Sequence, residues 1–234
     1  MKLDYKTIFA LTFVLIVSVY YIYDIFTTID NTEEADVIII GSGLAGLSSA
    51  FELFTLSSGK LNILIIESQS TYGGNSFKAT SGINLLSTPI QQSQSINDSF
   101  SLFYTDTMAS GRNQSDESLV STLVTKSQEL YSFYTSINLS LSTVSALGGH
   151  SVARTHRPSK STIGTYLTSG LYNILTHLGN DSVTFMMNTS VSELMYNDKT
   201  NKVNGVHVIV NSKYKHKIKG KVIILATGGY AYDF

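Results

Sequence analysis

The stretch at residues 36–47, DVIIIGSGLAGL, decides the fold of this chain. Its apolar, β-branched first half predicts a buried strand, and the Gly-x-Gly-x-x-Gly that follows predicts a tight turn. A helix-forming run from Leu47 to Leu56 comes next, and a second apolar run from Leu61 to Ile66 ends on Glu67. This order of strand, glycine turn, helix and acid-tipped strand is typical of a dinucleotide-binding βαβ unit.

The glycine turn and the acid have distinct predicted roles in binding a dinucleotide. The first glycine allows the sharp turn, the second lets the backbone approach a pyrophosphate, and the third lets the helix pack closely on the strand. The helix N-terminus presents free amides and a positive dipole end to the phosphates. The acid accepts hydrogen bonds from the adenosine ribose and disfavours the 2′-phosphate of NADP. A structural turn without a ligand is the alternative. The candidate cofactor-binding residues here are Gly41, Ser42, Gly43, Leu44, Ala45, Gly46 and Glu67.

A second glycine-rich segment favours FAD over NAD. Residues 73–84 read GGNSFKATSGIN, and NAD enzymes do not need such a loop after the acid. Its backbone amides and short polar side chains suit a diphosphate and a ribityl chain, and its small residues let the backbone pass close to an isoalloxazine ring. A polar surface loop is the alternative. The candidate residues here are Gly73, Gly74, Asn75, Ser76, Ala79, Thr80, Ser81 and Gly82.

With these motifs in view, the chain resembles the flavoprotein subunit of the soluble fumarate reductases, the branch that includes flavocytochrome c and the yeast fumarate reductases. The matching segments follow the family's order over nearly all of the chain after residue 35. The most specific is Gly-Gly-His-Ser-x-x-Arg-x-His-Arg at residues 148–157, which points to the eukaryotic, yeast-like members. The other matching segments are Val37–Leu47, Glu67, Gly73–Asn84, Ala146–Val152 and Ile224–Gly229.

The resemblance implies an FAD-dependent oxidoreductase that transfers a hydride from reduced flavin to the alkene of a small dicarboxylate, fumarate to succinate. Membrane-complex succinate dehydrogenases carry a histidine in the flavin loop that bonds covalently to FAD. Residues 75–79 contain none, so we expect noncovalent FAD. The substrate-binding candidates are Ser81, Gly82 and Leu147. Further cofactor-binding candidates are Val191, Ala226, Thr227 and Gly228.

The catalytic residues themselves are not assigned, since the family's clamp domain and catalytic arginine are expected downstream of Phe234. The chain is therefore expected to be the N-terminal portion of a longer enzyme, and by itself not to turn over fumarate. Two alternatives stay open. One is a truncated or degenerate flavin-binding module without catalysis, and the other is a relative that reduces or oxidises urocanate, a ketosteroid or aspartate.

Arg154, His156 and Arg157 are a second set of candidates, because only three arginines occur in the chain and two lie here. They suit a dicarboxylate or a phosphate. Equally, they suit a structural tie between a loop and a carboxylate. No spacing of histidine and acidic residues suggests a metal site.

Composition limits the classes of function. A chain of 234 residues that is 43% hydrophobic can bury a substantial core. The formal net charge of −1 argues against a nucleic-acid partner. Cysteine is absent, which excludes a disulfide, a thiolate metal site or an iron–sulfur cluster held by this sequence. The resemblance, and not the composition, implies a dicarboxylate as the small-molecule partner, and the electron donor is not assigned.

The N-terminus predicts a membrane anchor. The apolar run from Thr7 to Tyr23 is near the lower limit for a spanning helix, with lysines before it and acidic residues after it. Positive charge stays cytoplasmic, so the body is expected in the endoplasmic reticulum lumen or another exoplasmic compartment. A cleaved signal peptide is the alternative. Five Asn-x-Ser sequons are compatible with a lumenal body, at Asn97, Asn113, Asn138, Asn180 and Asn188.

The rest of the chain predicts scaffold. We expect three helices. The first is capped by Asn97 or Asp98 and buries Phe100, Phe103, Tyr104 and Met108. The second, at 116–134, buries a stripe of Leu119, Leu123, Leu130 and Tyr134, and the third, at 162–178, is closed by Gly179 as its C-cap. Short strands are expected at 183–187, 190–196, 203–210 and 213–219, followed by a strand at 222–226 that rejoins the parallel sheet. The predicted fold is α/β: a Rossmann-like FAD-binding domain at 35–234, with a parallel sheet, a βαβ unit, helices and a β-meander. Residues 1–34 are the predicted signal anchor and linker.

Overall fold

The structure is a computed structural model that describes residues 33–178 and 181–229. Within these residues the chain alternates strands and helices. The strands are β1 (Glu33–Ile40), β2 (Ile63–Ile66), β3 (Ile83–Asn84), β4 (Thr143–Ser145), β5 (Thr155–Arg157), β6 (Val183–Met186), β7 (Thr189–Asn197), β8 (Lys202–Val210) and β9 (Tyr214–Leu225). The helices are α1 (Leu44–Ser57), α2 (Gly74–Phe77), α3 (Pro89–Ser93), α4 (Phe100–Ser110), α5 (Glu117–Ser136) and α6 (Ile163–Leu178).

The main sheet has the strand order β6-β2-β1-β9-β8-β7. Its first four strands are parallel, and β8 and β7 follow as an antiparallel meander. Ile38 lies at the centre of the parallel part, where it is paired with Leu64 on one side and Ile223 on the other. The apolar runs of β1 and β2 are buried on both faces, as expected for parallel strands covered on both sides. The predicted α/β class, βαβ unit and meander are confirmed.

Two apolar clusters fill the two faces of this sheet. On one face α1 and α6 pack over the parallel strands, with Ile39, Leu47 and Leu171 fully buried between them. On the other face, β1 and β2 share a cluster with β8 and the first half of β9, to which Ile38 and Val206 both belong. The meander thus covers the face that the helices leave open. At one edge of the sheet the carboxyl ends of β1, β2 and β9 lead into the glycine turn, Glu67 and Ala226.

A smaller antiparallel sheet, β3-β5-β4, lies beyond that edge and is packed by α4, α5 and α6. Its short strands pair Ile83 with His156 and Asn84 with Thr155. Because β3 follows the second glycine segment, this sheet positions the residues predicted to face the flavin ring.

Two predicted helices differ from the structure in part: the first in its cap and in Phe100, and the second in the leucines at the start of its stripe. The N-cap of α4 is Ser99, whose hydroxyl accepts from the Leu102 amide at 3.2 Å, and not Asn97 or Asp98. Phe100, predicted to be buried, is exposed. In α5 the sequence predicted a buried leucine stripe, but Leu119 is 69% exposed because the neighbouring valine stripe packs against α4 instead. That valine stripe consists of Val120 and Val124.

The predicted break before the last strand was also wrong. Residues 213–219 and 222–226 were expected as separate strands, but β9 runs unbroken through Gly220. A Cβ at Gly220 would lie 2.7 Å from Cδ1 of Ile38, so the glycine makes room for a core side chain and does not interrupt the strand.

The predicted membrane anchor lies outside the described residues, and the predicted domain boundary lies at their start. The run Thr7–Tyr23 and the helix cap expected at Gly179 fall outside the described residues. Within 33–178 and 181–229, no helix combines the length and the apolar character needed to cross a bilayer. β1 already begins at Glu33, inside the segment predicted as linker.

Candidate functional site

The turn between β1 and α1 uses two of its glycines for steric reasons. Gly41 has φ +105°, which L side chains rarely adopt, and a Cβ there would overlap the carbonyl oxygen of Ala226 at the end of β9. A Cβ at Gly46 would overlap the carbonyl oxygen of Gly41. The chain therefore passes from strand to helix in a turn that no larger residue fits.

The middle glycine of the turn is different, because there is space beside it where a side chain would lie. A Cβ at Gly43 would find its nearest neighbour, Ser76 Oγ, at 3.6 Å, and its backbone is extended at φ −66°. Gly43 is the N-cap of α1 and provides no capping side chain, and the first turn of α1 contains no acidic residue. The positive end of the helix dipole is thus left for an anion.

Glu67 closes the other side of this turn. It is buried at the end of β2, and its Oε2 accepts from the Ser42 amide at 3.0 Å and from Ser42 Oγ at 2.6 Å. Its Oε1 accepts from the Gln69 amide at 2.9 Å. The carboxylate is therefore held rigidly beside the glycine turn, in the position where an acid meets the ribose of a dinucleotide.

The second glycine segment lies directly against the first. The Gly73 amide donates to the Ser42 carbonyl at 3.0 Å, and the Leu44 amide donates to Ser76 Oγ at 3.2 Å. The predicted loop is in fact a short helical turn, α2, entered through positive φ at Gly73 and Gly74. Ser76 thus places a hydroxyl group at the N-terminus of α1, next to the open side of the turn.

Sequence reasoning missed the residue that holds this segment in place. A Cβ at Gly164, in the first turn of α6, would overlap the Ser76 carbonyl oxygen, and the Gly164 amide donates to Ala79 O at 2.9 Å. Only a glycine at this position lets α6 lie so close to the backbone of residues 76–79. The sequence signal was an isolated glycine inside a helical pattern, which often marks a close packing contact.

The remaining cofactor candidates lie around the same edge. Ala226 follows β9, and its amide donates to Ile40 O at 2.9 Å, while Thr227 and Gly228 are exposed beyond it. Val191 is half-buried in β7, where it packs against the cluster beneath the parallel strands. The start of β7 is tied to the acid, because the Thr189 amide donates to the Glu67 carbonyl at 2.8 Å.

The substrate candidates lie on two separate segments. Ser81 is exposed, and Gly82 leads into β3 with φ +145°. Leu147 is 37% exposed on the loop between β4 and β5. Beside Gly82 a groove of about 760 Å³ runs along α5. Its lining is mostly apolar and includes Gly82, Ile83, Asn84, Leu119, Leu123, Leu130 and Phe133, with Lys126 and Glu129 at its rim.

Arg154 and His156 are buried and have structural partners. Arg154 donates from Nε and Nη2 to both carboxylate oxygens of Asp98, and from Nη1 to Asp106. Burial raises the pKa of Asp106, but hydrogen bonds from Ser151 and Arg154 outweigh it and hold that pKa below its usual value. The structure therefore favours the structural tie over direct substrate contact for Arg154.

The ring of His156 is fixed by two neighbours. Its Nδ1 lies 2.8 Å from the Arg154 carbonyl, which can only accept, so Nδ1 carries the proton. Nε2 lies 2.7 Å from Thr88 Oγ1. Burial lowers the pKa of His156, which favours the neutral ring. Arg157 is half-buried, and Nη2 donates to Ser145 Oγ at 3.1 Å.

Comparison with known proteins agrees with this geometry. The family model described as FAD binding domain matches residues 36–232. The chain belongs to the FAD binding domain family. Fumarate reductase of Schizosaccharomyces pombe is 34% identical over 216 residues, which is 89% of this chain and 40% of that protein. Fumarate reductase (cytochrome) of Shewanella frigidimarina is 34% identical over 202 residues, 85% of this chain and 34% of that protein.

The solved structures give the same picture. The open conformation of a flavocytochrome c3 fumarate reductase superposes with a TM-score of 0.77 and 28% identity, over 88% of this chain and 36% of that one. The chain therefore spans less than half of the length of these relatives. The cofactor of this domain is FAD, and the residues present fit it: an open Gly43, an uncompensated N-terminus of α1 and a fixed, buried Glu67.

Proposed function

We propose that the protein carrying this FAD-binding domain is an oxidoreductase that reduces fumarate to succinate. The observation that carries the proposal is the cradle at the carboxyl edge of the parallel strands, formed by Gly43, Ser76 and Glu67. The choice of a dicarboxylate is supported by relatives named fumarate reductase that are 34% identical over most of this chain.

Each part of the cradle has a role in holding the cofactor. Gly43 and the amides of α1 face the pyrophosphate, Ser76 offers a hydroxyl beside it, and Glu67 accepts from the ribose. Bound FAD supplies the hydride donor. No residue between Asn75 and Ala79 is a histidine, so the proposal includes noncovalent attachment. Acid precipitation of loaded protein should release the flavin, and flavin fluorescence that stays with the denatured polypeptide would contradict it.

The substrate side is assigned to the exposed segments beyond the cradle. With FAD bound, the Ser81–Gly82 backbone would face the ring and the dicarboxylate, and Leu147 would exclude water from the reacting face. Ser81, Gly82 and Leu147 provide no carboxyl, imidazole or guanidinium group that could act as the general acid. We therefore expect the 234-residue chain by itself to bind FAD without steady turnover.

The test uses the polypeptide that carries this sequence, purified from its own cells. Addition of fumarate should accelerate the oxidation of reduced methyl viologen, and the Gly43→Val variant should abolish that acceleration. No response to fumarate, or a stronger response to urocanate or a ketosteroid, would overturn the proposed substrate. Steady turnover by the 234-residue chain would instead implicate Arg157, whose guanidinium is less fully engaged than that of Arg154.

We also propose that the domain is tethered to a membrane with its body in an exoplasmic compartment. The charge asymmetry across Thr7–Tyr23 supports it. The sequon asparagines in the described residues are all exposed, at Asn97, Asn113, Asn138 and Asn188. The protein should stay in the membrane pellet after carbonate washing and shift on glycosidase treatment. Digestion of the body by protease added to intact microsomes would refute this orientation.

A further inference from the structure

Arg154 forms the centre of a buried cluster that the cofactor cradle does not include. Its side chain is fully buried, and Nε and Nη2 lie 2.9 and 2.7 Å from the two carboxylate oxygens of Asp98. Nη1 lies 2.6 Å from Asp106 Oδ2 and 3.0 Å from His150 Nδ1. The Phe103 ring packs at 4.6 Å from the guanidinium carbon. Every guanidinium nitrogen is engaged, so the group holds protein and not ligand.

The main chain beside Arg154 is bonded to the segment that contains Gly82. The Arg154 carbonyl accepts from the Leu85 amide at 3.0 Å, immediately after β3. A Cβ at Gly82 would lie 2.5 Å from Thr155 Cγ2 and 2.6 Å from the carbonyl oxygen of His156. Since β3 rests on β5 with no free space, a displacement of β5 must move Gly82 as well.

The same guanidinium fixes the loop that carries Leu147. Asp106, held by Arg154, accepts from the Ser151 amide at 2.8 Å and from Ser151 Oγ at 2.6 Å. His150 contacts Arg154 directly. The carboxyl end of the Leu147 loop is therefore anchored to α4 through the residues that anchor β5.

We propose that Arg154 is a positioning residue that sets the two segments facing flavin and substrate, Ser81–Gly82 and the Leu147 loop, relative to each other. The inference rests on the proposed function for the place of these segments next to the ring. It predicts that disturbing one buried side chain changes the flavin environment, although that side chain touches neither flavin nor substrate.

The first experiment is Arg154→Lys in the full chain, with FAD affinity and the visible absorption spectrum of bound FAD as the measurements. A single ammonium cannot reach Asp98, Asp106 and His150 together, so the segments lose their common anchor. Removing the outer contacts that orient metal ligands costs about 10- to 100-fold, and by analogy we expect at least a tenfold rise in the Kd for FAD with a shifted spectrum. The matched control is Arg112→Lys, at an exposed arginine outside this cluster, which should change neither.

A second variant is available if Arg154→Lys does not fold. Ser151→Ala removes one hydrogen bond that an exposed hydroxyl donates to Asp106, and it leaves the ion pairs of Arg154 intact. Iodide should then quench the fluorescence of bound FAD about twofold more strongly, because the Leu147 loop is loosened. The control is Ser159→Ala, an exposed serine on the following loop.

The outcomes separate the inference from the proposed function. Folded Arg154→Lys with unchanged Kd and spectrum, or Ser151→Ala quenched like its control, would overturn the positioning role while wild-type FAD binding stands. A wild-type chain that does not bind FAD would overturn the proposed function itself.

Discussion

The glycine cradle and the Arg154 cluster achieve precision in opposite ways. The turn that carries the cradle depends on the backbone alone, because Gly41 and Gly46 have no side chain where another part of the chain must pass. The cluster depends instead on one long side chain, since Arg154 binds the carboxylates of Asp98 and Asp106, which lie 56 and 48 residues earlier in the sequence. The comparison teaches that Gly41 and Gly46 tolerate no added side chain, whereas Arg154 tolerates no shortening of its own.

The largest expected effect tests the backbone half of this comparison. Gly46→Val places a side chain on the Gly41 carbonyl, and neither α1 nor β1 can move without breaking the core around Leu47. We expect a loss of about 5 kcal/mol or more in the free energy of unfolding, enough to unfold an ordinary domain. Chemical denaturation followed by circular dichroism measures it. Gly148→Val, at a glycine with open space, should stay close to wild type.

A somewhat smaller loss is expected when the cluster loses its centre. Arg154→Met leaves the buried carboxylates of Asp98 and Asp106 without a cation, which costs about 3–5 kcal/mol. Urea denaturation provides the measurement. The control is Lys126→Met, which removes the exposed pair with Glu129 and should cost less than about 1 kcal/mol. Equal effects at the two sites would contradict the role given to burial.

The contrast also explains what the sequence could predict. The βαβ unit, Glu67 and the second glycine segment follow one another within about fifty residues, and each has a local pattern of spacing or apolar periodicity. The parallel pairing of β2 with β1 follows from the same pattern. Such features are visible without knowing which distant segments come together.

The parts that were missed depend on distant partners. Asp98 looked like a helix cap, because the sequence does not show that Arg154 draws its carboxylate inward. The exposed stripe of α5 was mistaken for the buried one, since the leucines and the valines have the same helical spacing and packing against α4 selects between them. Gly164 carried no motif, and its role depends on α6 lying against Ser76.

The cluster should also make stability depend on pH. Burial lowers the pKa of His156, and burial together with the charge of Arg154 lowers the pKa of His150. Below pH 6.5 the two histidines therefore take up protons more readily in the unfolded state than in the folded state. Their contribution to the free energy of unfolding is complete above pH 6.5 and is lost as the pH falls below it. Urea titrations at pH 7.5 and 5.5 should show this loss, and His156→Asn should reduce it. A wild-type midpoint that does not change would refute the neutral, buried ring.

The smallest change in stability is expected at Gly43, and there the loss of function should be complete. A valine at Gly43 has allowed backbone angles and no close neighbour, so the free energy of unfolding should change by less than about 1 kcal/mol. Its side chain would nonetheless occupy the position of the pyrophosphate. Gly148→Val, at an open glycine on the Leu147 loop, should leave the affinity for the adenosine diphosphate part of the cofactor intact.

The most direct test of the account is therefore a calorimetric titration of FAD into the full chain and into these two folded variants. We expect one FAD bound per chain for wild type and for Gly148→Val, and no binding for folded Gly43→Val. FAD binding to Gly43→Val with the wild-type Kd would contradict the cradle, because the pyrophosphate would then lie elsewhere.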